Sequence, residues 1–181
     1  MGLLTFGINV TLDGCCDHRA GAPDDEEFRY WTRLMDKAGG VLWGRAVYEL
    51  MEDAWPKVAR DPKAPRLFRE WALKLDAKPK HVVSATRSDF SWNNTYLVKG
   101  NLADSIKALK KRTPHGLLAG SPTLSKELHR LGLIDEYLLV VHPKVAGHGP
   151  TLFVDWLAAG LKFVDAKRFR SGVVALRYRR G

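Results

Sequence analysis

Leu117-Leu118-Ala119-Gly120-Ser121-Pro122-Thr123-Leu124 decides how this chain folds, because it joins a short apolar run to a helix start through Gly-Ser-Pro. Ser121 is suited to cap that helix, and Pro122 fits its first turn because proline has no N–H to leave unpaired. Gly120 lets a ligand approach the backbone, and the free N–H groups of the helix start favour an anion. The stretch therefore predicts either a plain strand-to-helix turn or a phosphate-binding turn.

Strand and helix patterns alternate on both sides of this turn. Strands are predicted at residues 3–12, 41–43, 81–84, 96–98 and 116–119. Helices are predicted from Asp24 or Asp25, from Arg45, after Pro65, over 102–112 and over 122–131. We expect Trp55-Pro56 to break the second helix and a loop to follow from Val58 to Pro65. This alternation predicts an α/β fold with a mostly parallel sheet covered on both faces.

The C-terminal tail departs from the alternation. Its β-rich stretches at 136–142, 162–170 and 173–179 follow one another, and Ser171-Gly172 is placed for a tight hairpin turn. The tail therefore predicts an antiparallel edge on the sheet.

Length and composition indicate one domain spanning residues 1–181. The chain is 45% hydrophobic, and no Pro/Ser-rich linker or internal repeat divides it. No run approaches the roughly 18 apolar residues of a membrane span, and the first residues lack the basic head of a signal peptide. We therefore expect no membrane association and a cytoplasmic location. Cys15 and Cys16 are adjacent, which favours reduced thiols, and no spaced ligand pairs indicate a metal site.

The net charge of +9 arises from 29 basic and 20 acidic residues, and it favours encounter with anionic small molecules. The basic residues are spread along the chain, with a mild concentration between Arg168 and Arg180 that is typical of a solvated edge. No helix-turn-helix pattern or aromatic-basic RNA-binding signature accompanies them, so we expect no nucleic-acid partner.

Several further blocks occur in a fixed order around the Gly120 turn. Upstream lie Thr11-Leu12-Asp13-Gly14, Gly44-Arg45-Ala46-Val47-Tyr48-Glu49, Val83-Ser84-Ala85-Thr86-Arg87 and Val98-Lys99-Gly100-Asn101-Leu102. Downstream lie Leu131-Gly132-Leu133-Ile134-Asp135-Glu136-Tyr137 and Gly147-His148-Gly149-Pro150-Thr151-Leu152-Phe153. In this order the chain resembles the RibD C-terminal domain, the reductase domain of bacterial riboflavin biosynthesis, and its dihydrofolate reductase-like relatives. The resemblance covers nearly the whole chain and implies a three-layer α/β/α dihydrofolate reductase-like fold and a homodimer.

The resemblance also implies that NADPH binds across the sheet. Gly44 and Arg45 would lie on one side of its phosphates, and the opposite side would be formed by Gly120, Ser121, Pro122 and Thr123. The loop from Ser84 would place Thr86 and Arg87 at the 2′-phosphate, where a guanidinium forms paired charge-assisted hydrogen bonds. Arg87 has a second interpretation as an ordinary surface arginine. Val47 departs from the threonine common in relatives and removes one phosphate contact.

Fewer residues indicate where the substrate would bind. Asp13 follows the first strand where the resemblance places the nicotinamide, so it either relays a proton with a raised pKa or is simply a turn residue. Glu26 and Glu27 are the alternative carboxylates, since dihydrofolate reductases hold the pterin near the start of the first helix, although helix capping also explains them. Aromatic side chains that would stack a flat heterocycle, or belong to the core, are Trp43, Tyr48 and Trp55.

Taken together, these features predict an NADPH-dependent reductase of a flat nitrogen heterocycle or its ribosyl or ribityl derivative. The nearest reaction implied by the resemblance is that of 5-amino-6-(5-phosphoribosylamino)uracil reductase. However, Glu52-Asp53-Ala54-Trp55-Pro56 matches the aspartate-rich stretch of those reductases only loosely. A non-catalytic or stress-linked nucleotide-binding protein on the same fold is therefore the alternative.

Overall fold

A computed structural model describes residues 1–21 and 23–181 of the chain. Its strands are β1 (Leu4–Thr11), β2 (Gly40–Gly44), β3 (Lys80–Val83), β4 (Thr95–Leu97), β5 (Leu117–Ala119), β6 (Glu136–His142), β7 (Leu161–Arg168) and β8 (Val174–Arg180). Its helices are α1 (Asp25–Lys37), α2 (Arg45–Arg60), α3 (Arg66–Ala77), α4 (Leu102–Arg112) and α5 (Pro122–Arg130). Every strand and helix expected from the sequence is present, with one change in the length of α2.

The described strands form one mixed sheet in the order β4-β3-β2-β5-β1-β6-β8-β7. The strands from β4 to β6 pair in parallel, and β8 pairs antiparallel with both β6 and β7. The hairpin between β7 and β8 turns at Gly172, whose φ of 88° suits glycine. The mixed, mostly parallel sheet with an antiparallel C-terminal edge is therefore confirmed.

The core has two main parts because successive side chains of a strand point to opposite faces. Leu42 of β2 packs in a cluster with Ile106 of α4 and Leu128 of α5. Its neighbours Val41 and Trp43 instead pack with side chains of the other three helices, among them Met35, Tyr48, Trp71 and Leu75. The helices thus cover both faces of the sheet, which is the three-layer α/β/α arrangement.

Helix α2 corrects one expectation, since it runs through Trp55-Pro56 and ends at Arg60. An internal proline removes one hydrogen bond and costs about 3 kcal/mol in an isolated helix. Here Pro56 is buried, and the Trp55 ring lies among those of Phe28, Phe68 and Trp71 at centroid distances of 6.2, 6.5 and 6.1 Å. Burial of this aromatic cluster stabilises the helix beyond the proline, so the loop shortens to residues 61–65.

Lys80 joins β3 to the end of α3 and is fully buried. Its Nζ donates to the carbonyl oxygens of Leu75, Asp76 and Lys78 at 2.9, 3.0 and 2.8 Å. The Leu75 and Asp76 carbonyls lie in the last turn of α3 and the Lys78 carbonyl lies just beyond it, so the lysine caps the negative terminus of the helix. Burial lowers the pKa of the ammonium from 10.5 to about 8, against the opposing charge of Asp76.

Residues 1–21 and 23–181 contain no helix that is both long and apolar enough to cross a membrane.

Candidate active site

Three loops expected at the cofactor meet at one edge of the sheet. They follow β3, β2 and β5, which are neighbours in the sheet and run in parallel, so their carboxyl ends lie side by side. The Gly44 N–H donates to the Ser121 hydroxyl at 3.0 Å and joins two of the loops directly. Crevices at such strand ends are where open α/β sheets bind ligands.

Helices α2 and α5 begin at this edge with their amide groups open. No described side chain caps either start, and Ser121 does not cap α5 as the sequence suggested, because its hydroxyl accepts from Gly44 instead. By contrast, Asp24 caps α1 by accepting from the Glu27 N–H at 2.9 Å, and Asn101 caps α4. Two open helix starts side by side present N–H groups and positive dipole ends suited to an anion.

At Gly44 and Gly120 there is space for a side chain, and the backbone conformation does not require glycine. Within the described chain, a Cβ at position 120 would come no closer than 3.6 Å to another residue, and one at position 44 would meet Leu124 Cβ at 3.6 Å. Both are ordinary contacts, and neither glycine has a positive φ. Gly116 differs, because its φ is 76° and its Cβ would lie 2.6 Å from the Leu3 carbonyl oxygen. Neither the backbone conformation nor the described neighbours therefore require glycine at positions 44 and 120.

The loop after β3 differs from the loops after β2 and β5. It leads to β4 rather than to a helix, so Ser84 to Arg87 do not form a helix start. The Ser84 hydroxyl accepts from the backbone N–H groups of Thr86 and Arg87 at 3.2 and 2.8 Å. Those two amides are therefore satisfied within the loop, and the Thr86 side chain is exposed.

Arg87 is paired in the structure. Its guanidinium binds the Glu52 carboxylate through two nitrogens, at 2.8 and 3.2 Å, and its Nε donates to the Asp89 carbonyl oxygen at 2.9 Å. The hydrogen bond to Glu52 raises the pKa of the guanidinium further above its ordinary value. Arg45 is more open, since its half-exposed side chain is paired among the described residues with Glu49, at 3.4 Å.

Two of the three aromatic residues considered for substrate stacking lie in the core, and the third is partly buried against it. Trp43 and Tyr48 are 4% and 0% exposed, and Trp55 packs in the aromatic cluster of α1, α2 and α3. Their rings contact other side chains of the cluster formed by α1, α2 and α3, which favours the alternative that they belong to the core, and the stacking role stays a prediction. The Tyr48 hydroxyl donates to Glu52 Oε1 at 2.8 Å, which connects it to the Arg87 pair.

Asp13 is also not the desolvated acid that the sequence suggested. It is exposed, and its carboxylate accepts from the Thr11 hydroxyl and from the N–H groups of Gly147 and Ala146, at 2.8 and 3.1 Å. These bonds, the one from Thr11 foremost, lower the pKa of Asp13 from 3.8 to about 2, which is opposite to the expected rise. Asp13 therefore holds the β1 turn against the loop after β6.

Of the two alternative carboxylates, Glu27 is the buried one. Glu26 binds the Arg170 N–H at 3.1 Å at the surface, whereas Glu27 is 1% exposed and accepts from the Ser171 hydroxyl at 2.8 Å. Glu27 Oε2 lies 3.8 Å from Nε2 of His142, and neither atom has a hydrogen-bond partner among the described residues. One polar group lying between these two atoms would be able to hydrogen-bond to both.

His142 is a candidate site residue that was not predicted from the sequence. It ends β6 and lines a cavity of about 20 Å³ with Asn9, Thr11, Cys15 and Gly21, among others. The sequence could have indicated His142 as a site residue, because a histidine at the carboxyl end of a parallel strand next to β1 falls at the same sheet edge as the three loops expected at the cofactor.

Comparisons with known proteins agree with this fold. The family model of the RibD C-terminal domain matches residues 3–175. YyaP of Bacillus subtilis strain 168, an uncharacterised protein, is 31% identical over 181 residues, covering 97% of this chain and 93% of YyaP. A putative riboflavin biosynthesis protein from Shewanella sp. PV-4 has a TM-score of 0.74 at 21% identity, over 100% of this chain and 99% of that one.

A bifunctional enzyme from Thermotoga maritima gives a similar superposition. Its structure, titled diaminohydroxyphosphoribosylaminopyrimidine deaminase/5-amino-6-(5-phosphoribosylamino)uracil reductase, has a TM-score of 0.66 at 17% identity, over 99% of this chain and 57% of the enzyme. At these identities both solved structures establish the fold alone.

Proposed function

This chain belongs to the RibD C-terminal domain family, and we propose that it acts as one domain that reduces a flat nitrogen heterocycle, or its ribosyl or ribityl derivative, with NADPH. The family is the reductase domain of riboflavin biosynthesis, which supports an oxidoreductase. The observation that carries the proposal is the pair of open helix starts at α2 and α5, beside two glycines whose missing side chains leave space for a ligand.

The residues at this edge fit a dinucleotide. The open amides of α5 and the backbone of Gly120 would bind the pyrophosphate from one side, and Gly44 and Arg45 from the other. Thr86 and Arg87 would lie at the ribose phosphate, as the resemblance implies. The dinucleotide would supply the hydride, and the protein would orient it against the substrate and exclude water.

The polar end of the proposed substrate site is Glu27 with His142. Asp13 is engaged by three hydrogen bonds, so the buried Glu27 is the better carboxylate to contact a heterocycle. The orphaned atoms of Glu27 and His142 supply an acceptor and a ring nitrogen within reach of one ligand group. The cavity beside them, of about 20 Å³, has room for one small polar group of a ligand rather than for a whole heterocycle.

The proposal extends to assembly and location. Strand β7 is an eight-residue sheet edge, and exposed apolar side chains on or near it include Leu157, Leu161 and Phe163. An open edge with apolar neighbours favours pairing with a symmetric partner, so we propose a homodimer, and we propose the cytoplasm as its location.

Nucleotide binding without turnover is the second candidate function. It is favoured by the burial of Trp43 and Tyr48 and by the packing of the partly buried Trp55 against Trp71, since Trp43, Tyr48 and Trp55 are the residues predicted to stack a heterocycle.

Tryptophan fluorescence during NADPH titration tests binding, and loss of the reduced nicotinamide absorbance with candidate pterins and pyrimidines tests turnover. Binding with turnover supports the reductase, and binding without turnover on the full panel supports the second candidate. Absence of binding contradicts both.

A further inference from the structure

The Glu52–Arg87 pair has a consequence for the choice of dinucleotide. Arg87 is the cation that the family resemblance places at the 2′-phosphate, which is the group that distinguishes NADPH from NADH. Each of its three guanidinium nitrogens already has a protein acceptor, two on Glu52 and one on the Asp89 carbonyl. A phosphate arriving here meets a neutralised pair rather than a free cation.

The pair is held firmly in place. Glu52 Oε1 also accepts from the Tyr48 hydroxyl and the Ser91 hydroxyl, each at 2.8 Å. The guanidinium lies over the rings of Tyr48 and Phe90, 5.2 and 5.4 Å from their centroids. Although burial alone would raise the pKa of Glu52, hydrogen bonds from Arg87, Tyr48 and Ser91 hold it below its ordinary value. Glu52 therefore carries its negative charge at neutral pH.

We propose that Glu52 sets the cofactor selectivity of this chain, by occupying Arg87 so that NADH binds nearly as well as NADPH. A 2′-phosphate must either displace Glu52 from a bidentate ion pair or sit beside its charge. Displacement would leave a carboxylate with 17% side-chain exposure without its cation, which is costly. Both routes remove most of the advantage that a free arginine gives NADPH. This inference rests on the dinucleotide site proposed above and specifies its ligand.

Glu49 provides a matched control. It lies one turn before Glu52 on α2 and is also acidic, but it approaches Arg87 only to 3.8 Å and is 41% exposed. Its nearer contact is Arg45, at 3.4 Å. A charge change at Glu49 alters the same surface without freeing the guanidinium of Arg87.

The test measures dissociation constants of NADPH and NADH by calorimetry for the wild-type protein, Glu52→Gln, Glu49→Gln and the double variant Glu52→Gln/Arg87→Ala. Glutamine retains an acceptor for Tyr48 and Ser91, so the loop stays ordered. We expect the wild-type ratio of NADH to NADPH constants to be below about 10, and Glu52→Gln to raise it at least about fivefold by tightening NADPH. Glu49→Gln should leave the ratio within about twofold, since that interaction is exposed and long. Arg87→Ala should abolish the gain.

Two smaller probes isolate the phosphate. Adenosine 2′,5′-bisphosphate should bind more tightly to Glu52→Gln than to the wild type, whereas adenosine 5′-monophosphate should bind both alike. A wild-type ratio above about 10, or an unchanged ratio in a folded Glu52→Gln variant, overturns the inference while leaving the dinucleotide site standing. Failure of the wild type to bind either dinucleotide overturns the proposed function itself, and this inference with it.

Discussion

The starts of α1 and α4 differ from those of α2 and α5 in one respect. At α1 and α4 a side chain, Asp24 or Asn101, accepts from the first-turn backbone as an N-cap. At α2 and α5, which follow neighbouring strands β2 and β5, the first-turn amides have no such described partner. Helix α3 is uncapped as well, but it follows the loop 61–65 rather than a strand end.

The capped starts stabilise their helices, whereas the uncapped starts leave backbone N–H groups available to a ligand. A cap stabilises a helix by about 1 kcal/mol, and an uncapped start gives that up. The two uncapped starts meet at the sheet edge where Gly44 and Gly120 also lack side chains. Closed helix ends should therefore respond to mutation with a loss of stability, and the open ends with a loss of ligand binding.

Gly120→Val should have the largest effect, on the affinity for NADPH at the uncapped start of α5. A branched side chain would fill the space beside the α5 amides, so NADPH should bind at least about 100-fold more weakly, or more than about 2.7 kcal/mol. The fold should persist, because the nearest described atoms to a Cβ here are 3.6 and 3.9 Å away. Fluorescence titration measures the affinity, and thermal unfolding measures the stability. Gly160→Val is the control, because a Cβ at position 160 would meet no described atom within 4 Å. Unaltered affinity would place the pyrophosphate elsewhere.

Lys80→Met should have the next largest effect, on the free energy of unfolding, because it removes the cap at the end of α3. Methionine keeps the volume but leaves three carbonyl oxygens at the end of α3 without their buried donor. We expect the free energy of unfolding in urea to fall by about 2–4 kcal/mol, with no change in the affinity for NADPH of the protein that remains folded. Removing the exposed ammonium of Lys57 by Lys57→Met gives the control. A loss below about 0.5 kcal/mol would show that Lys80 does not cap α3.

The buried ammonium also predicts a pH dependence. The folded-state pKa of Lys80 is lowered to about 8 from 10.5, so the unfolded chain holds this proton where the folded chain has released it. The unfolded state then binds more protons between about pH 8 and 10.5, and the wild type should gain stability relative to Lys80→Met as pH rises through that window. A difference that shrinks with rising pH would contradict the assigned direction.

Asp24→Ala should have a smaller effect, again on stability alone. It removes the N-cap of α1, and we expect a loss of about 1 kcal/mol in the free energy of unfolding. Asp25→Ala, in the same first turn without a capping bond, should cost less. The affinity for NADPH should not change in either variant, and a coupled loss of affinity would mean that α1 contributes to the dinucleotide site.

Asp13→Asn should have the smallest effect. The substitution keeps the turn but weakens acceptance from Thr11 and the N–H groups of Ala146 and Gly147. The folded pKa of about 2 lies below the ordinary 3.8, so this contribution to stability is present above about pH 4 and is lost as pH falls through 2. The wild type and the variant should therefore converge in stability towards pH 2. Turnover lowered about 100-fold or more would restore Asp13 to the catalytic role considered from the sequence.

Much of the fold could be predicted from the sequence because local sequence patterns determine its helices and strands. Helix α4 was expected at 102–112 and spans Leu102–Arg112, since its apolar spacing and its Asn101 cap lie within one segment. The passage of α2 through Pro56 was not readable, because rings from three helices stabilise it. Local pattern carries no information about such packing.

The site was less readable because its decisive contacts join distant residues. The partner of Ser121 is Gly44, 77 residues earlier, and the partner of Arg87 is Glu52, 35 residues earlier. The loops named from the resemblance do meet at one sheet edge. However, which of their donors are already occupied depends on these long-range bonds, and the sequence alone assigned Ser121 a cap and left Arg87 free.

A crystal structure of the protein grown with NADPH would show whether the strand ends of β2, β3 and β5 form a dinucleotide site. We expect pyrophosphate oxygens within about 3 Å of the open amides at the start of α5, with the adenosine ribose extending towards the loop at Ser84 to Arg87. Density for the pyrophosphate away from Gly44 and Gly120, or no bound dinucleotide at saturating concentration, would rule out a dinucleotide site at these strand ends.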